Sequence, residues 1–127
     1  MQAETAKVLY IEDSFDNRLL VRRILDAEGY QVLEAENAEE GLAMARGSLP
    51  DLIMIDINMP EMDGLTLTSM MKADKQLCDI PVVAITANVM RGDRERTLAA
   101  GCDGYIQKPI DIEEFPQVVA QYLQHDH

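Results

Sequence analysis

Short apolar runs alternate with longer segments of helical periodicity along the chain. Each run has four to six residues, the length of a β-strand and too short for a stable helix. The second run is more polar than the others and is therefore expected nearer a sheet edge. The pattern predicts strands at residues 8–11, 31–35, 52–55, 81–86 and 104–108.

The segment after the first strand carries the signals of an amphipathic helix. Ser14 can cap its amino end, and Gly29 is a natural stop. Its apolar positions recur every three or four residues, at Leu20, Ile24 and Ala27. The sequence therefore predicts a helix with these side chains facing the sheet.

Two further helices follow the second and third strands. Asn37 and Glu40 form a plausible capping pair for a helix that ends near Gly47. The next helix is predicted at residues 64–73, with Leu67 and Met70 facing inward. Both segments have the length of a helix that crosses from one strand to its parallel neighbour.

The last two helices contain residues that weaken them. The segment 88–100, which Gly101 would end, has a polar middle with Gly92 and predicts an intrinsically weak helix. Asp111 and Glu114 cap the final helix, where Pro116 would remove a backbone hydrogen bond or bend the first turn. A weak fourth helix fits either a solvated surface helix or an element that changes conformation.

Five strands and five helices in strict alternation predict an α/β fold. The sheet is expected to be parallel and doubly wound, with helices on both faces. Neither a linker nor a low-complexity tract interrupts the pattern, and the last helix ends close to the terminus. We therefore expect one domain over residues 1–127.

The composition excludes several function classes. The formal net charge is −12, so the surface repels nucleic-acid phosphates and direct DNA binding is not expected. No run of about 18 apolar residues is present, so membrane insertion is not predicted. The start has no signal-like pattern, and the cytoplasm is the expected location. The histidines, His125 and His127, lie in a terminus unsuited to catalytic triads.

Polar side chains stand where four of the five predicted strands end. Glu12 and Asp13 follow the first strand, Asp56 follows the third, Thr86 ends the fourth and Lys108 ends the fifth. In an open parallel sheet these ends meet at one edge, where ligands bind. Clustered carboxylates repel each other, and Mg²⁺ would relieve the repulsion. Together with a lysine and a hydroxyl they suit a phosphoryl group, which a carboxylate can accept as nucleophile.

The residues at these strand ends match a known family. The motifs are IED at the first strand, MIDINMPEMDG at the third, ITA at the fourth and YIQKPI at the fifth. The chain resembles the response-regulator receiver domains of bacterial two-component signalling, similar to single-domain chemotaxis and cell-division regulators. The resemblance covers residues of about 6–124. It implies a flavodoxin-like sheet of strand order 2-1-3-4-5, with the site at the switch point between strands one and three.

The resemblance assigns a phosphoacceptor and a metal site. It makes Asp56 the residue that is phosphorylated. Glu12, Asp13, Asp56 and the backbone carbonyl of Asn58 would hold Mg²⁺, with Glu12 acting through water. Asn58 and Asn88 would border the phosphoryl group and influence its lifetime. Neither is an acid or a base, so slow to moderate self-hydrolysis is expected.

The resemblance also assigns a switch. Thr86 would hydrogen-bond a phosphoryl oxygen and move toward it, while Lys108 would pair with the phosphoryl group or with Asp56. Tyr105 would rotate inward with the threonine, and the Lys108–Pro109 peptide would be cis. The face formed by helix four, strand five and helix five would change shape on phosphorylation. The same face is a candidate dimer interface.

The implied partners are a histidine kinase or a histidine phosphotransfer protein, together with a protein that reads the output and that the sequence does not name. An alternative is an aspartyl-phosphate phosphatase of the haloacid-dehalogenase type. Such enzymes need a second acid two residues after the nucleophile, where this chain has Asn58. A calcium loop is excluded because Glu61 stands where its glycine is required. A scaffold without phosphorylation remains open, although the complete site argues against it.

Overall fold

Strands and helices alternate through a computed structural model that describes residues 6–57, 64–86 and 93–124. No helix within these ranges is long and apolar enough to cross a membrane. The elements are β1 Lys7–Ile11, α1 Phe15–Ala27, β2 Gln31–Ala35, α2 Ala38–Ser48, β3 Leu52–Asp56, α3 Gly64–Ala73, β4 Val82–Thr86, α4 Asp93–Ala99, β5 Gly104–Gln107 and α5 Phe115–Gln124.

The five strands form one parallel sheet in the order β2-β1-β3-β4-β5. This is the predicted flavodoxin-like order, and the α/β prediction is confirmed. Every residue of β3 and β4 is buried, as expected for central strands that helices cover on both faces. The order reverses between β1 and β3, so a crevice is expected beyond the carboxyl ends of these two strands.

Alternate residues of each strand enter separate cores on the two faces of the sheet. One core joins Leu9, Ile11, Ile53 and Ile55 to apolar residues of α2 and α3. The other lies under α1 and α5; its buried residues are Val8, Tyr10, Val21, Leu25, Leu52, Met54, Val83, Ile85, Phe115 and Val119. Tyr10 is the one residue in this list with a polar group on its side chain, and its buried hydroxyl therefore needs a hydrogen-bond partner.

All three predicted caps are present, and at the third the Asp111 side chain accepts the Glu114 backbone N–H at 3.1 Å. The Ser14 side chain accepts the Asn17 backbone N–H at 3.3 Å, and Asn37 accepts that of Glu40 at 2.8 Å. The helix predicted to end near Gly47 ends one residue later, at Ser48, which confirms the prediction, and Leu49 closes it in the left-handed region at φ 47°. Local hydrogen-bond chemistry predicted the starts, whereas this stop uses a residue without glycine's conformational freedom.

The buried faces of two helices differ from the prediction. In α1 the fully buried apolar residues are Val21 and Leu25, while Ala27 is exposed. In α3 Met70 is exposed and Met71 is buried. Spacings of three and four residues both continue a helical face, so neighbouring apolar residues leave its direction ambiguous. The predicted amino end of the fourth helix, residues 88–92, lies outside the described residues.

Gly41 allows α2 to approach β1 closely. A Cβ added there would lie 2.8 Å from Ile11 Cγ1 and still nearer to Cδ1, whereas one at Gly47 would meet nothing within 4 Å. We expect Gly41→Ala to lower the free energy of unfolding by about 1–3 kcal/mol through overpacking. Gly47→Ala, in the same helix, is expected to raise it by about 0.5–1 kcal/mol. Urea unfolding measures both, and a stable Gly41→Ala would contradict the close packing.

Candidate functional site

The predicted polar residues meet at the carboxyl edge of the sheet. Glu12 and Asp13 directly follow β1, and Asp56 and Thr86 are the last residues of β3 and β4. Lys108 directly follows β5, and its backbone N–H donates to the Thr86 carbonyl at 2.7 Å. The sequence placed Asp56 just beyond its strand, but it pairs within the sheet, opposite Ile85. This pairing fixes its backbone at the mouth of the crevice.

Three carboxyl groups form an acidic cluster in this crevice. One oxygen from each of Glu12, Asp13 and Asp56 lies within 4.8 Å of the other two. Glu12 and Asp56 are buried, whereas Asp13 is exposed. Hard oxygen ligands at this spacing, with one side open to solvent, fit a Mg²⁺ ion that retains several waters. The donor set therefore fits the metal that the sequence predicted.

Lys108 is the cation of the site. Its Nζ lies 3.1 Å from Asp56 Oδ2 and 3.3 Å from Glu12 Oε1. Burial alone would lower the pKa of Lys108, but the neighbouring Asp56 and Glu12 carboxylates outweigh it and raise the pKa. The ammonium therefore stays charged beside Asp56. The Lys108–Pro109 peptide that follows is cis, as the resemblance implied.

Glu12 is the most constrained carboxyl group of the cluster. Its Oε1 accepts from the Tyr10 hydroxyl at 2.9 Å and from Asn17 Nδ2 at 3.4 Å, and its Oε2 accepts the Ser14 N–H at 3.2 Å. Burial, followed by the hydrogen bond and charge of Asp56, raises the pKa of Glu12 to about 7. The metal-free site thus resists full ionisation near neutral pH.

Tyr10 is part of the site, although the sequence pattern did not single it out. This tyrosine is fully buried, and burial followed by the charge of Glu12 raises its pKa far above the ordinary range. The phenol therefore keeps its proton and donates a hydrogen bond to Glu12. The available signal was a hydroxyl-bearing side chain inside the oily run VLYI, two residues before an acid and on the same side of the strand.

Arg18 was missed as well. It is 7% exposed, and its Nη1 donates to the Glu12 carbonyl at 2.8 Å while its Nε lies 3.3 Å from Glu34 Oε1. The guanidinium thus joins the carboxyl ends of β1 and β2 to α1. Its spacing was visible in the sequence, because Arg18 shares a helix face with the buried Val21 and Leu25.

The two proposed switch residues lie on the neighbouring strands β4 and β5. Thr86 is buried at the end of β4. Tyr105, on β5, is half-buried and packs against the core under α2 and α3. A groove of about 410 Å³ runs along β5 and the start of α5, lined by residues that include Tyr105, Lys108 and Val118. Asn58 and Asn88, predicted to border the phosphoryl group, lie outside the described residues.

Comparison with protein families identifies the chain. The family described as response regulator receiver domain matches residues 8–120. The chain belongs to this family. Receiver domains are the phosphorylation-activated switches of two-component systems, so the chain is a signalling protein of that kind, and the dehalogenase-type alternative is not supported. The matched residues include every strand end that carries the site.

Characterised relatives of this receiver domain are response regulators. The chain is 41% identical over 119 residues to the polar-differentiation response regulator DivK of Brucella ovis, covering 94% of this chain and 97% of that protein. It is 42% identical over 116 residues to DivK of Brucella anthropi, covering 91% of this chain and 94% of that protein. The chain thus matches such regulators over nearly their whole length.

Solved receiver structures share the fold. The chemotaxis response regulator CheY4 of Vibrio cholerae superposes with a TM-score of 0.88 at 28% identity, over 94% of this chain and 99% of that one. The receiver domain of a sensor histidine kinase from Pseudomonas aeruginosa superposes with a TM-score of 0.87 at 27% identity, over 95% of this chain and 99% of that one. That structure carries a magnesium ion coordinated in its active site cleft.

Proposed function

We propose that Asp56 accepts the phosphoryl group, from a phosphohistidine on a histidine kinase or histidine phosphotransfer protein, at a Mg²⁺ site formed by Glu12, Asp13 and Asp56. The observation that carries the proposal is the pairing of Asp56 Oδ2 with Lys108 Nζ at 3.1 Å inside the acidic cluster. A carboxylate held beside a fixed cation and hard oxygen ligands is suited to phosphoryl transfer, which depends on positioning and charge neutralisation.

Each residue of the site has a separate role in phosphoryl transfer. An Asp56 oxygen attacks the phosphorus, a P–O bond forms, the P–N bond to histidine breaks, and the imidazole leaves with its electron pair. Lys108 offsets the negative charge and then pairs with the phosphoryl oxygens. The Thr86 hydroxyl donates to one of those oxygens. Mg²⁺ would be held by the carboxylates of the cluster and, as the resemblance implies, by the carbonyl of Asn58, and it would supply Lewis-acid neutralisation of the phosphoryl charge.

The signal is proposed to leave through α4, β5 and α5. The 2.7 Å hydrogen bond from Lys108 N–H to the Thr86 carbonyl couples β4 to the loop after β5. Contacts that both side chains make only to a phosphoryl group favour one conformation of this region. Tyr105 would rotate inward with Thr86 and reshape the groove beside it. An output protein, or a second copy of the chain, would read that surface.

The remaining properties follow from the same proposal. The chain works as one receiver module of residues 1–127 in the cytoplasm, contacts proteins and not nucleic acid, and catalyses no turnover beyond its own phosphorylation and dephosphorylation. Asn58 and Asn88 provide no general base, so the aspartyl phosphate is expected to hydrolyse at a slow to moderate rate. The charge of −12 disfavours contact with nucleic-acid phosphates.

The test is to incubate the chain with a small acyl-phosphate donor, with and without Mg²⁺, and to locate the product. We expect a single acid-labile phosphoryl group in the presence of Mg²⁺. Borohydride reduction followed by peptide mass spectrometry should place the modification at Asp56. Modification of another residue, or none with any donor, would overturn the proposal. Sustained hydrolysis of many phosphoesters would instead indicate a phosphatase.

A further inference from the structure

We propose that Tyr10 is a positioning residue for the divalent cation, because its buried phenol fixes the carboxylate of Glu12. The inference rests on the Mg²⁺ site proposed above and adds to it a residue from the hydrophobic core. Tyr10 is fully buried, and its hydroxyl donates to Glu12 Oε1 at 2.9 Å. The hydroxyl itself would not coordinate the metal, so Tyr10 acts through Glu12.

The core holds the phenol in place. Tyr10 lies within β1 and is buried in the core that α1 and α5 supply, with Phe115 and Val119 of α5 in the same cluster. A ring packed at interior density has little freedom to move. The hydroxyl therefore presents a donor at a fixed point, which ties the rotamer of Glu12 to the sheet and to both helices.

The other donors to Glu12 Oε1 are less suited to this task. Asn17 Nδ2 lies 3.4 Å away, and Lys108 Nζ lies 3.3 Å away and also contacts Asp56. When Lys108 turns to the phosphoryl group, it leaves Glu12. The Tyr10 hydroxyl then remains as the shorter of the two hydrogen bonds to Oε1, while the Ser14 N–H holds Oε2, so the carboxylate keeps its orientation in both states of the site.

The hydroxyl also has a chemical role that phenylalanine could not fill. Without the phenol, Glu12 loses the shortest of its hydrogen bonds, and repulsion from its acidic neighbours then turns the carboxylate away from them more easily. Partners of metal-coordinating groups orient those groups, and their loss typically weakens metal binding by about 10–100-fold. Because Glu12 is expected to act through water, we expect a smaller effect, of roughly three- to tenfold.

The experiment measures Mg²⁺ affinity by amide chemical-shift titration at about pH 8.5, where free carboxylates are ionised. Tyr10→Phe should weaken binding roughly three- to tenfold. The matched control is Tyr122→Phe, which removes a phenolic hydroxyl next to Gly104. Gly104 begins β5 and so lies at the amino ends of the strands, opposite the carboxyl ends that carry the site. That variant should bind Mg²⁺ as the parent chain does.

A double-mutant cycle separates positioning from general loosening of the core. In a Glu12→Gln background the phenol has no carboxylate to orient, so adding Tyr10→Phe should leave Mg²⁺ affinity unchanged. A merely structural role would weaken binding by the same factor in both backgrounds. Circular dichroism and thermal unfolding verify that each variant is folded.

The outcomes distinguish this inference from the proposal beneath it. If the parent chain binds no Mg²⁺, the metal site itself is wrong. If the parent binds Mg²⁺ and Tyr10→Phe binds equally well, or loses affinity equally in both backgrounds, the positioning role is overturned while the metal site stands. A loss confined to the background that retains Glu12 supports the inference.

Discussion

Asp56→Asn is expected to lower the rate of phosphorylation more than about a thousandfold, while the chain stays folded. A neutral amide is not a nucleophile toward phosphorus, and it removes one ligand of the acidic cluster. The residue is 3% exposed and pairs within the sheet, so an isosteric amide preserves the backbone position. Intact-mass measurement after incubation with an acyl-phosphate donor and Mg²⁺ checks the result.

The matched control for this variant is Asp26→Asn, an exposed acid of α1 whose nearest cation, Arg22 Nε, is 3.9 Å away. It carries the same change of charge and should be phosphorylated as the parent is. Asp56→Asn should also lower the pKa of Glu12, because the hydrogen bond and charge of Asp56 help to raise it. Phosphorylation of Asp56→Asn at the parent rate would remove Asp56 from its assigned role.

Glu12→Gln is expected to stabilise the metal-free chain at alkaline pH. The pKa of Glu12 is about 7 in the folded chain against an ordinary 4.5, so between these values the folded state holds a proton that the unfolded state releases. Stability should therefore fall as pH rises through this window and level off above it. The full penalty is about 3 kcal/mol, and Glu12→Gln should remove most of it.

Urea unfolding in the presence of a chelator, repeated from acid to alkaline pH, measures this effect. The parent should lose stability across the window, whereas Glu12→Gln should show a flatter curve and match the parent near the acid end. Asp13→Asn is the comparator, and its gain should be smaller because Asp13 is exposed and solvent screens its charge. Equal pH profiles for Glu12→Gln and the parent would contradict the raised pKa.

The parts of the fold that follow local rules could be predicted from the sequence. The alternation of apolar runs and helical segments indicated the sheet, and the capping residues Ser14 and Asn37 placed two helix starts. The site was predictable for a geometric reason, because parallel strands bring their carboxyl ends to one edge. Glu12, Asp56 and Lys108 therefore meet although they are distant in the chain.

The parts that depend on three-dimensional packing were not predictable. Met70 and Met71 are neighbours of the same type, and only the position of α3 on the sheet decides which is buried. Arg18 reaches the site through the Glu12 carbonyl, and Glu34 on the adjacent strand β2 holds its guanidinium there. The role of Tyr10 required knowing which face of β1 carries its hydroxyl toward Glu12. These facts concern relative orientation, which a single sequence does not specify.

The two ion pairs of Lys108 span 96 and 52 positions of the chain. Synthesis on the ribosome proceeds from the amino end, so the three acids emerge long before their cation. A nascent chain that has completed β4 carries Glu12, Asp13 and Asp56 with the lysine still to come. Receptivity to a phosphoryl donor should therefore appear abruptly, once β5 has docked. A nascent chain that lacks β5 is therefore expected not to accept a phosphoryl group.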